Sequence, residues 1–394
     1  MQKPIKLFGL LLTAGVILAG CSWFNQQFGV ADQAATTDEG DGMMVEATDE
    51  PIKVGFIGPL TGDVAFIGEN MRAAVEIAAA EINKSGGIGA DNRPIQVIYE
   101  DGACDGATAA NAANKLVNID RVVAIIGGAC SGETLSAAPI AEAAGVVMIS
   151  GASTSPDITD AGEYIYRVIP SDSFQGSYAA DLIRPRFGNV KVALMSCLAD
   201  YCQGVRNNFS LRFNALGGQV VADESFPQGA TDLRTQLTKV KQLEPDMIYF
   251  VGYTGETITG IRQMHELDMG DLMILGADAW SDVKIWEELG ELGTGAMFTE
   301  PANQNLPQSF IDAMAAQVGG SDILVYAPRA YDALMMLASI LPQGTDGASI
   351  KAALDGLQGY PGIADTYSFD ENGDVVNAVY VLRRVENGTI VDAE

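Results

Sequence analysis

From residue 52 onward, short runs of β-branched and apolar residues alternate with longer segments in which apolar residues recur at helical spacing. The run IKVGFIG (52–58) has the pattern of a buried strand, and the apolar positions from Ile67 to Ile82 that follow it fall on one helix face. Strands that alternate with helices in this way form a parallel sheet with right-handed crossovers. The alternation therefore predicts an α/β fold built on doubly wound parallel sheets.

The alternation divides into two units that show no recognisable sequence repeat. In the first unit a helix is predicted after residue 67, and the other predicted elements are strands at 52–58, 94–100, 122–128 and 146–150 and helices at 107–118 and 135–145. The second unit begins near Ser171, with strands at 191–196, 219–226, 246–252, 272–278 and 296–301 and helices near 203–216, 232–243, 256–268, 307–318, 327–340 and 348–357. A last strand pair is predicted around the Asn-Gly turn of DENGD (370–374), ending in VVNAVYVLRRV.

The N-terminus has the pattern of an exported lipoprotein. Two lysines precede LFGLLLTAGVILAG (7–20), an apolar run too short for a comfortable membrane span. The run ends in LAGC (18–21), which resembles a bacterial lipobox and implies cleavage before Cys21 and a diacylglycerol on its sulfur; an ordinary signal peptide is the alternative. Residues 22–50 contain seven acidic residues and no Lys or Arg. We therefore expect a signal peptide over 1–20 and a lipidated, disordered acidic linker over 21–50.

Length and charge limit the classes of partner. The 394 residues suffice for two domains, and 48% hydrophobic with 19% charged residues is a globular composition. Acidic residues outnumber basic ones by 51 to 23, for a formal net charge of −28. This excess argues against a nucleic-acid partner and against an anionic lipid surface.

The cysteines are interpreted through the predicted export, because disulfides persist outside the cytoplasm. With Cys21 lipidated, an even number remains and allows three connectivities: Cys104, Cys130, Cys197 and Cys202. Proximity in sequence favours Cys104–Cys130 and Cys197–Cys202. A zinc site is the competing interpretation, but no CxxC pair is present and the one histidine, His265, is remote. Two disulfides and no metal are expected.

Polar and aromatic residues follow the predicted strands of both units. In open parallel sheets, ligands bind beyond the carboxyl ends of the strands. The segments at those ends are GGACSGET (127–134), ISGASTSPD (149–157), SCLADYC (196–202), VGYTGE (251–256) and LGADAWSD (275–282). Such ends in two wound units predict a ligand cleft between two lobes.

The chemistry expected of that cleft is binding rather than catalysis. Ser131 lacks a base, because His265 falls within a predicted helix, and no nucleophile elbow, nucleotide loop or metal motif is present. Ser131 and Thr154 suit a ligand carboxylate at a helix start, or cap their own helices. Asp278 suits an ammonium group, or caps the segment after it, and Tyr201 and Tyr253 either cover a ligand or pack in their loops.

Two stretches carry a resemblance to a known family: DGACDGATAANAANKLVN (101–118) and VVAIIGGACSGETLSAAPIAEAAGVVMISGASTSPDIT (122–159). They resemble the branched-chain amino-acid binding proteins of bacterial ABC importers, which have the type I periplasmic-binding fold. The resemblance extends from about residue 52 to the C-terminus. It implies two lobes joined by three crossovers near residues 170, 300 and 374. Lobe 1 would comprise 51–170 and 301–374, and lobe 2 would comprise 171–300 and 375–394.

The resemblance also implies roles for single residues. Cys104 and Cys130 match the family's disulfide, and Ser131 matches its α-carboxylate contact. Asp278 falls where the family often has a glutamate that pairs with the α-ammonium group. The other positions that match the family's ligand site are Ala152 (by its backbone), Thr154, Tyr201, Tyr253 and Tyr326. Two features depart from the family: Ile67 stands where a tyrosine is common, and cysteines bracket Tyr201, so that a Cys197–Cys202 bridge would stiffen its loop.

The N-terminus, the resemblance and the missing catalytic base together predict an exported, lipid-anchored and monomeric solute-binding protein of the periplasm or cell surface, neither an enzyme nor dependent on a cofactor. It would deliver an amino acid, branched-chain or otherwise apolar, to the permease subunits of an ABC transporter. One alternative is a ligand-binding sensor for amides or amino acids on the same fold. The other is an exported α/β enzyme, which the missing base disfavours.

Overall fold

Two mainly parallel sheets organise the part of the chain that the computed structural model describes, residues 50–319 and 323–393. The predictions for the signal peptide, for Cys21 and for the linker up to residue 49 lie outside the described residues. The strands in chain order are β1 (Ile52–Gly58), β2 (Ile95–Asp101), β3 (Ala124–Gly127), β4 (Val147–Ser150), β5 (Ile165–Arg167), β6 (Lys191–Cys197), β7 (Gln219–Phe226), β8 (Met247–Val251), β9 (Met273–Gly276), β10 (Met297–Pro301), β11 (Tyr360–Pro361), β12 (Thr366–Tyr367), β13 (Tyr380–Glu386) and β14 (Thr389–Asp392). The α-helices in chain order are α1 (Ala65–Lys84), α2 (Gly106–Lys115), α3 (Ser131–Ala144), α4 (Asp172–Phe187), α5 (Asp200–Ala215), α6 (Arg234–Gln242), α7 (Thr254–Glu266), α8 (Val283–Leu289), α9 (Gln308–Val318), α10 (Ala327–Ile340) and α11 (Gly347–Asp355).

The two sheets are wound in the same order. The first sheet is β2-β1-β3-β4-β5 and is parallel throughout. In the second sheet, β7-β6-β8-β9-β10 repeats that order with parallel pairs, and β13 and β14 extend the sheet antiparallel beside β10. Runs such as AIIG in β3 and MIYFV in β8 are fully buried, as expected where helices cover both faces of a parallel sheet. The predicted α/β fold with two doubly wound sheets is confirmed.

The chain passes between the sheets three times. It leaves the first sheet after β5, returns after β10 through helices α9 to α11, and reaches the second sheet again at β13. Helix α10 packs against α1, β3 and β4, which places the returning segment on the first sheet. Arg167, the last residue of β5, and Asp374, in the segment that leads to β13, form a bidentate ion pair with Nε–Oδ1 at 2.6 Å and Nη2–Oδ2 at 2.7 Å. The pair holds this segment against the edge of the first sheet.

Several elements differ from the sequence prediction. Helix α4 was not predicted, because Pro185 and a largely polar sequence obscure its periodicity, and β5 and α8 were too short to stand out. The strand pair predicted around DENGD is wrong, since Phe369 and Val375 form only an isolated antiparallel bridge there. The C-terminal hairpin is β13–β14, which turns at a second Asn-Gly, Asn387-Gly388. Apolar residues at alternate positions of β13 pack beside β10, and this packing selects the second turn.

Candidate functional site

Residues that follow strands of both sheets line one cavity between the sheets. Seven of the eight predicted ligand-binding residues are in its wall: Ile67, Ser131, Ala152, Tyr201, Tyr253, Asp278 and Tyr326. Ala129, Cys130 and Ala279 complete the wall. The cavity volume is about 20 Å³, whereas a single water molecule needs at least about 10–15 Å³. An amino acid therefore requires the two sides of the cavity to move apart.

On the first-sheet side of the cavity, the Ser131 hydroxyl can donate a hydrogen bond. Ser131 is the first residue of α3, where backbone N–H groups lack intrahelical partners. Its Oγ accepts a hydrogen bond from the Ser155 N–H at 3.1 Å. The hydroxyl proton is thus available to an acceptor in the cavity. A helix start with a hydroxyl donor is suited to a carboxylate.

Thr154 is the predicted site residue that the structure does not bring to the cavity wall. It is buried, and its Oγ1 forms no hydrogen bond of normal geometry among the described residues, although it lies near the carboxylate of Asp172. Its carbonyl accepts from the Asp172 N–H at 2.8 Å and from Arg167 Nη1 at 3.0 Å. Thr154 therefore lies behind the wall, with a polar atom still unsatisfied.

The second-sheet side of the cavity carries a carboxylate. Asp278 is buried at the start of a 3-10 turn after β9. Its Oδ1 accepts from Tyr201 Oη at 2.9 Å, and its Oδ2 accepts from Tyr326 Oη at 2.8 Å. The Tyr201 hydroxyl in turn accepts from the Ala279 N–H at 3.2 Å. Tyr326 precedes α10 on the first-sheet side, so its bond to Asp278 joins the two sides of the cleft.

Burial changes the pKa values of Asp278 and of the two tyrosines that are bonded to it. It raises the pKa of Asp278, an effect that the hydrogen bonds from Tyr326 and Tyr201 oppose. Burial, followed by the negative charge of Asp278, raises the pKa of both tyrosines, so that their hydroxyls keep their protons. A cation that enters the cavity would lower the pKa of Asp278, because a nearby positive charge stabilises the ionised carboxylate.

Asp172 is a second buried acid that the sequence analysis missed. It is the first residue of α4, and its carboxylate forms no hydrogen bond of normal geometry among the described residues, although the Thr154 hydroxyl is near enough to oppose the rise in its pKa. Burial and then the negative charge of Asp278 raise its pKa. The sequence did contain a signal, because Ser171-Asp172 is a typical helix start and the Ser171 side chain caps α4. Asp172 is thus close enough to Asp278 for their charges to interact, although it does not line the cavity itself.

Two disulfides support the loops of the site. Cys104 is joined to Cys130 and Cys197 to Cys202, each pair with a Cα–Cα distance of 5.4 Å. The first connects the loop after β2 to the residue before Ser131. The second joins the end of β6 to the first turn of α5, where Tyr201 lies with its ring 5.4 Å from that of Tyr253.

A sequence profile of the periplasmic binding protein family matches residues 51–389. The chain belongs to the periplasmic binding protein family. This periplasmic binding protein is 30% identical over 351 residues to the Leu/Ile/Val-binding protein of Escherichia coli K12, which covers 88% of this chain and 94% of that protein. It is also 30% identical over 334 residues to the leucine-, isoleucine-, valine-, threonine-, and alanine-binding protein of Pseudomonas aeruginosa, covering 83% of this chain and 88% of that one.

Solved structures agree with these relatives. The leucine binding protein LivK of Thermotoga maritima superposes on this periplasmic binding protein with a TM-score of 0.80 at 28% identity, covering 87% of this chain and 98% of that one. LivJ of Streptococcus pneumoniae, a branched-chain amino acid transporter substrate binding protein in complex with isoleucine, gives 0.78 at 27% identity, covering 86% and 98%. Homologues of this chain are thus substrate-binding proteins of branched-chain amino-acid transporters, and the resemblance stated from the sequence is confirmed.

Proposed function

We propose that this periplasmic binding protein captures an α-amino acid between two lobes and delivers it to an ABC permease. The observation that carries the proposal is the opposite polarity of the two ends of the cavity. Ser131 offers a hydroxyl proton and the start of α3 on one side, and Asp278 offers a carboxylate on the other. A zwitterion has the matching charges at a fixed separation, so it satisfies both ends at once.

The wall between these ends favours an apolar side chain. Ile67, Ala129, Ala152 and Ala279 present apolar groups there, and the hydroxyls of Tyr201 and Tyr326 are bonded to Asp278. A branched-chain or similar apolar amino acid fits such a wall, in keeping with relatives named for leucine, isoleucine and valine.

Among the described residues, no group of three or more His, Cys, Asp or Glu side chains is placed to hold a metal ion.

Entry of the ligand requires the lobes to separate. We assign residues 51–170 and 301–374 to lobe 1 and residues 171–300 and 375–394 to lobe 2, with hinges at the three crossings. Lys284 Nζ lies 4.1 Å from the ring centre of Phe66, a cation–π contact between the two sides of the cleft mouth that opening would break. The permease subunits would recognise the closed form of the monomer.

The lipobox-like LAGC supports attachment of the exported chain to a membrane through Cys21. No helix within residues 50–319 and 323–393 is long and apolar enough to cross a bilayer. The Cys21→Ala variant should be released from membranes without detergent, whereas the parent needs detergent. Fractionation of cells that express each form tests this, and a variant that stays with the membrane would contradict the anchor.

A thermal-shift screen of the common amino acids tests the binding function. A ligand at 100 times its Kd should stabilise the folded protein by about 2.7 kcal/mol. We expect shifts with leucine, isoleucine or valine and none with glutamate or lysine. The absence of a shift with every amino acid would contradict the proposal, and a shift with the charged ones alone would contradict the apolar preference.

A further inference from the structure

Glu133 is a fully buried carboxylate that binds backbone rather than a cation. Its Oε1 accepts from the Cys104 N–H at 2.9 Å. Its Oε2 accepts from the Ala129 N–H at 2.9 Å and from the Cys130 N–H at 3.0 Å. One side chain in the first turn of α3 thus joins the loop after β2 to the loop after β3.

The backbone around Glu133 is shaped to hold its carboxylate. A methyl group at Gly102 would lie 2.2 Å from Glu133 Oε1, and one at Gly128 would lie 2.6 Å from Glu133 Cβ. Ala103 and Cys104 have φ values of 51° and 52°, a left-handed conformation that is unfavourable for residues other than glycine. The bond from the Cys104 N–H to Glu133 helps to hold this loop in place.

The same three bonds fix the position of Ser131. Cys130 is the N-cap of α3 and immediately precedes Ser131, so a shift of the Cys130 backbone moves the Ser131 hydroxyl and the first N–H groups of α3. The Cys104–Cys130 disulfide restrains the same two loops through their side chains. Glu133 restrains their backbones, which the disulfide leaves free to rotate.

We propose that Glu133 is a positioning residue of the ligand site, whose carboxylate holds the two loops so that Ser131 and the start of α3 face the ligand's carboxylate. This role rests on the amino-acid binding proposed above. It predicts a loss of affinity confined to the carboxylate end of the ligand. This selective loss would distinguish Glu133 from a residue that only stabilises the fold.

Glu133→Gln tests the role, because the amide keeps the shape but one of its two acceptors becomes a donor. Calorimetry should show leucine binding weakened by about tenfold, and binding of leucinol, which lacks the carboxylate, weakened far less. Asp332→Asn is the matched control. Asp332 is also buried and accepts from the Ile363 and Ala364 N–H groups at 2.7 and 2.8 Å, but it does not line the cavity. That variant should bind both ligands as the parent does, whatever its melting temperature.

Gly102→Ala provides a second test if Glu133→Gln does not fold, since it displaces the carboxylate without removing it. A folded Glu133→Gln or Gly102→Ala protein that binds leucine as tightly as the parent would overturn the role. An equal loss for leucine and leucinol in the variant would also overturn it, because a general loss of structure predicts that result. A parent protein that binds no amino acid would instead refute the proposed function, so the two failures are distinguishable.

Discussion

The same four-residue pattern starts a helix on each side of the cleft: SGET (131–134) begins α3 and TGET (254–257) begins α7. The strands before these helices, β3 and β8, occupy equivalent places in the two sheets. The glutamates do equivalent work as well. Glu133 accepts from the Cys104 N–H in the loop after β2, and Glu256 accepts from the Gly229 N–H, at 2.6 Å, in the loop after β7. In each sheet, one glutamate thus binds the backbone of a neighbouring loop at the carboxyl ends of the strands.

The hydroxyls of the two patterns differ, and the difference gives the cleft its polarity. The Ser131 oxygen accepts from a backbone N–H and keeps its proton free for an acceptor. The Thr254 hydroxyl donates its proton to Asp282 Oδ2 at 2.5 Å, so it has no donor left for a ligand. In the proposed function, the ligand would meet Asp278 from the next loop on that second side. SGET would then bind the ligand's carboxylate directly, and TGET would support the loops around the proposed ammonium site.

The largest expected effect comes from neutralising the ammonium side. Asp278→Asn leaves a buried ammonium without its carboxylate, which should cost about 2–5 kcal/mol. Affinity for leucine should therefore fall by at least about thirtyfold. Calorimetry with leucine and its deaminated analogue measures the effect, because the analogue never engages Asp278 and should bind poorly to parent and variant alike. Equal affinity of the parent for both compounds would contradict the pairing of Asp278 with the ligand's ammonium group, and with it the proposal that the ligand is an amino acid.

The two glutamates should differ in their contribution to the pH dependence of stability. Burial raises the pKa of Glu133 from 4.5 to about 7, and the nearby charge of Asp101 acts in the same direction. Between these values the folded protein binds more protons at Glu133 than the unfolded chain does, so the contribution of this group to stability is fully present below about pH 4.5 and is lost as the pH rises through about 7. The loss from this one group is about 3 kcal/mol.

Urea unfolding of the parent, Glu133→Gln and Glu256→Gln between pH 5 and 8 measures this difference. Glu133→Gln should flatten the profile most. Burial also raises the pKa of Glu256, which lines the open mouth of the cleft, so its replacement should flatten the profile less. Tyr253, whose pKa is raised by burial and then by the charges of Glu256 and Glu133, stays protonated throughout. Identical profiles for the parent and Glu133→Gln would show that Glu133 titrates near its ordinary value when folded.

Most of the fold was predictable because its strands are continuous apolar runs. The sequence located nine of the first ten strands, since runs such as KVALMS (191–196) have no other reasonable place than a buried sheet. The C-terminal hairpin was not predictable in this way. Two Asn-Gly turns, at 372–373 and 387–388, were both possible, and only the pairing of β13 with β10 decides between them.

The site was predictable where a residue directly follows a strand, and less so where its position depends on packing between the sheets. Ser131 and Asp278 follow β3 and β9 and reach the cavity. Asp172 lies beyond a three-residue strand and a crossing, so its approach to the site depends on tertiary structure. SGET and TGET are visible in the sequence, but three identical residues after a hydroxyl residue stand out only once the order of the two sheets makes the two segments equivalent.

The smallest effect compares the two hydroxyls. Ser131→Ala removes one donor to the ligand but leaves the helix-start N–H groups, so leucine affinity should fall by about 1–3 kcal/mol. Thr254→Val removes the matching hydroxyl on the other side, where it leaves Asp282 Oδ2 without a donor while Oδ1 still accepts from the Lys284 N–H. It should lower stability by about 1 kcal/mol with no change in affinity. Calorimetry and thermal unfolding of both variants separate the outcomes. If Thr254→Val weakens leucine binding as much as Ser131→Ala does, both hydroxyls act on the ligand and the difference between the two patterns is lost. If Ser131→Ala lowers only stability, its hydroxyl serves the Ser155 N–H alone, and the carboxylate is held by the backbone of α3.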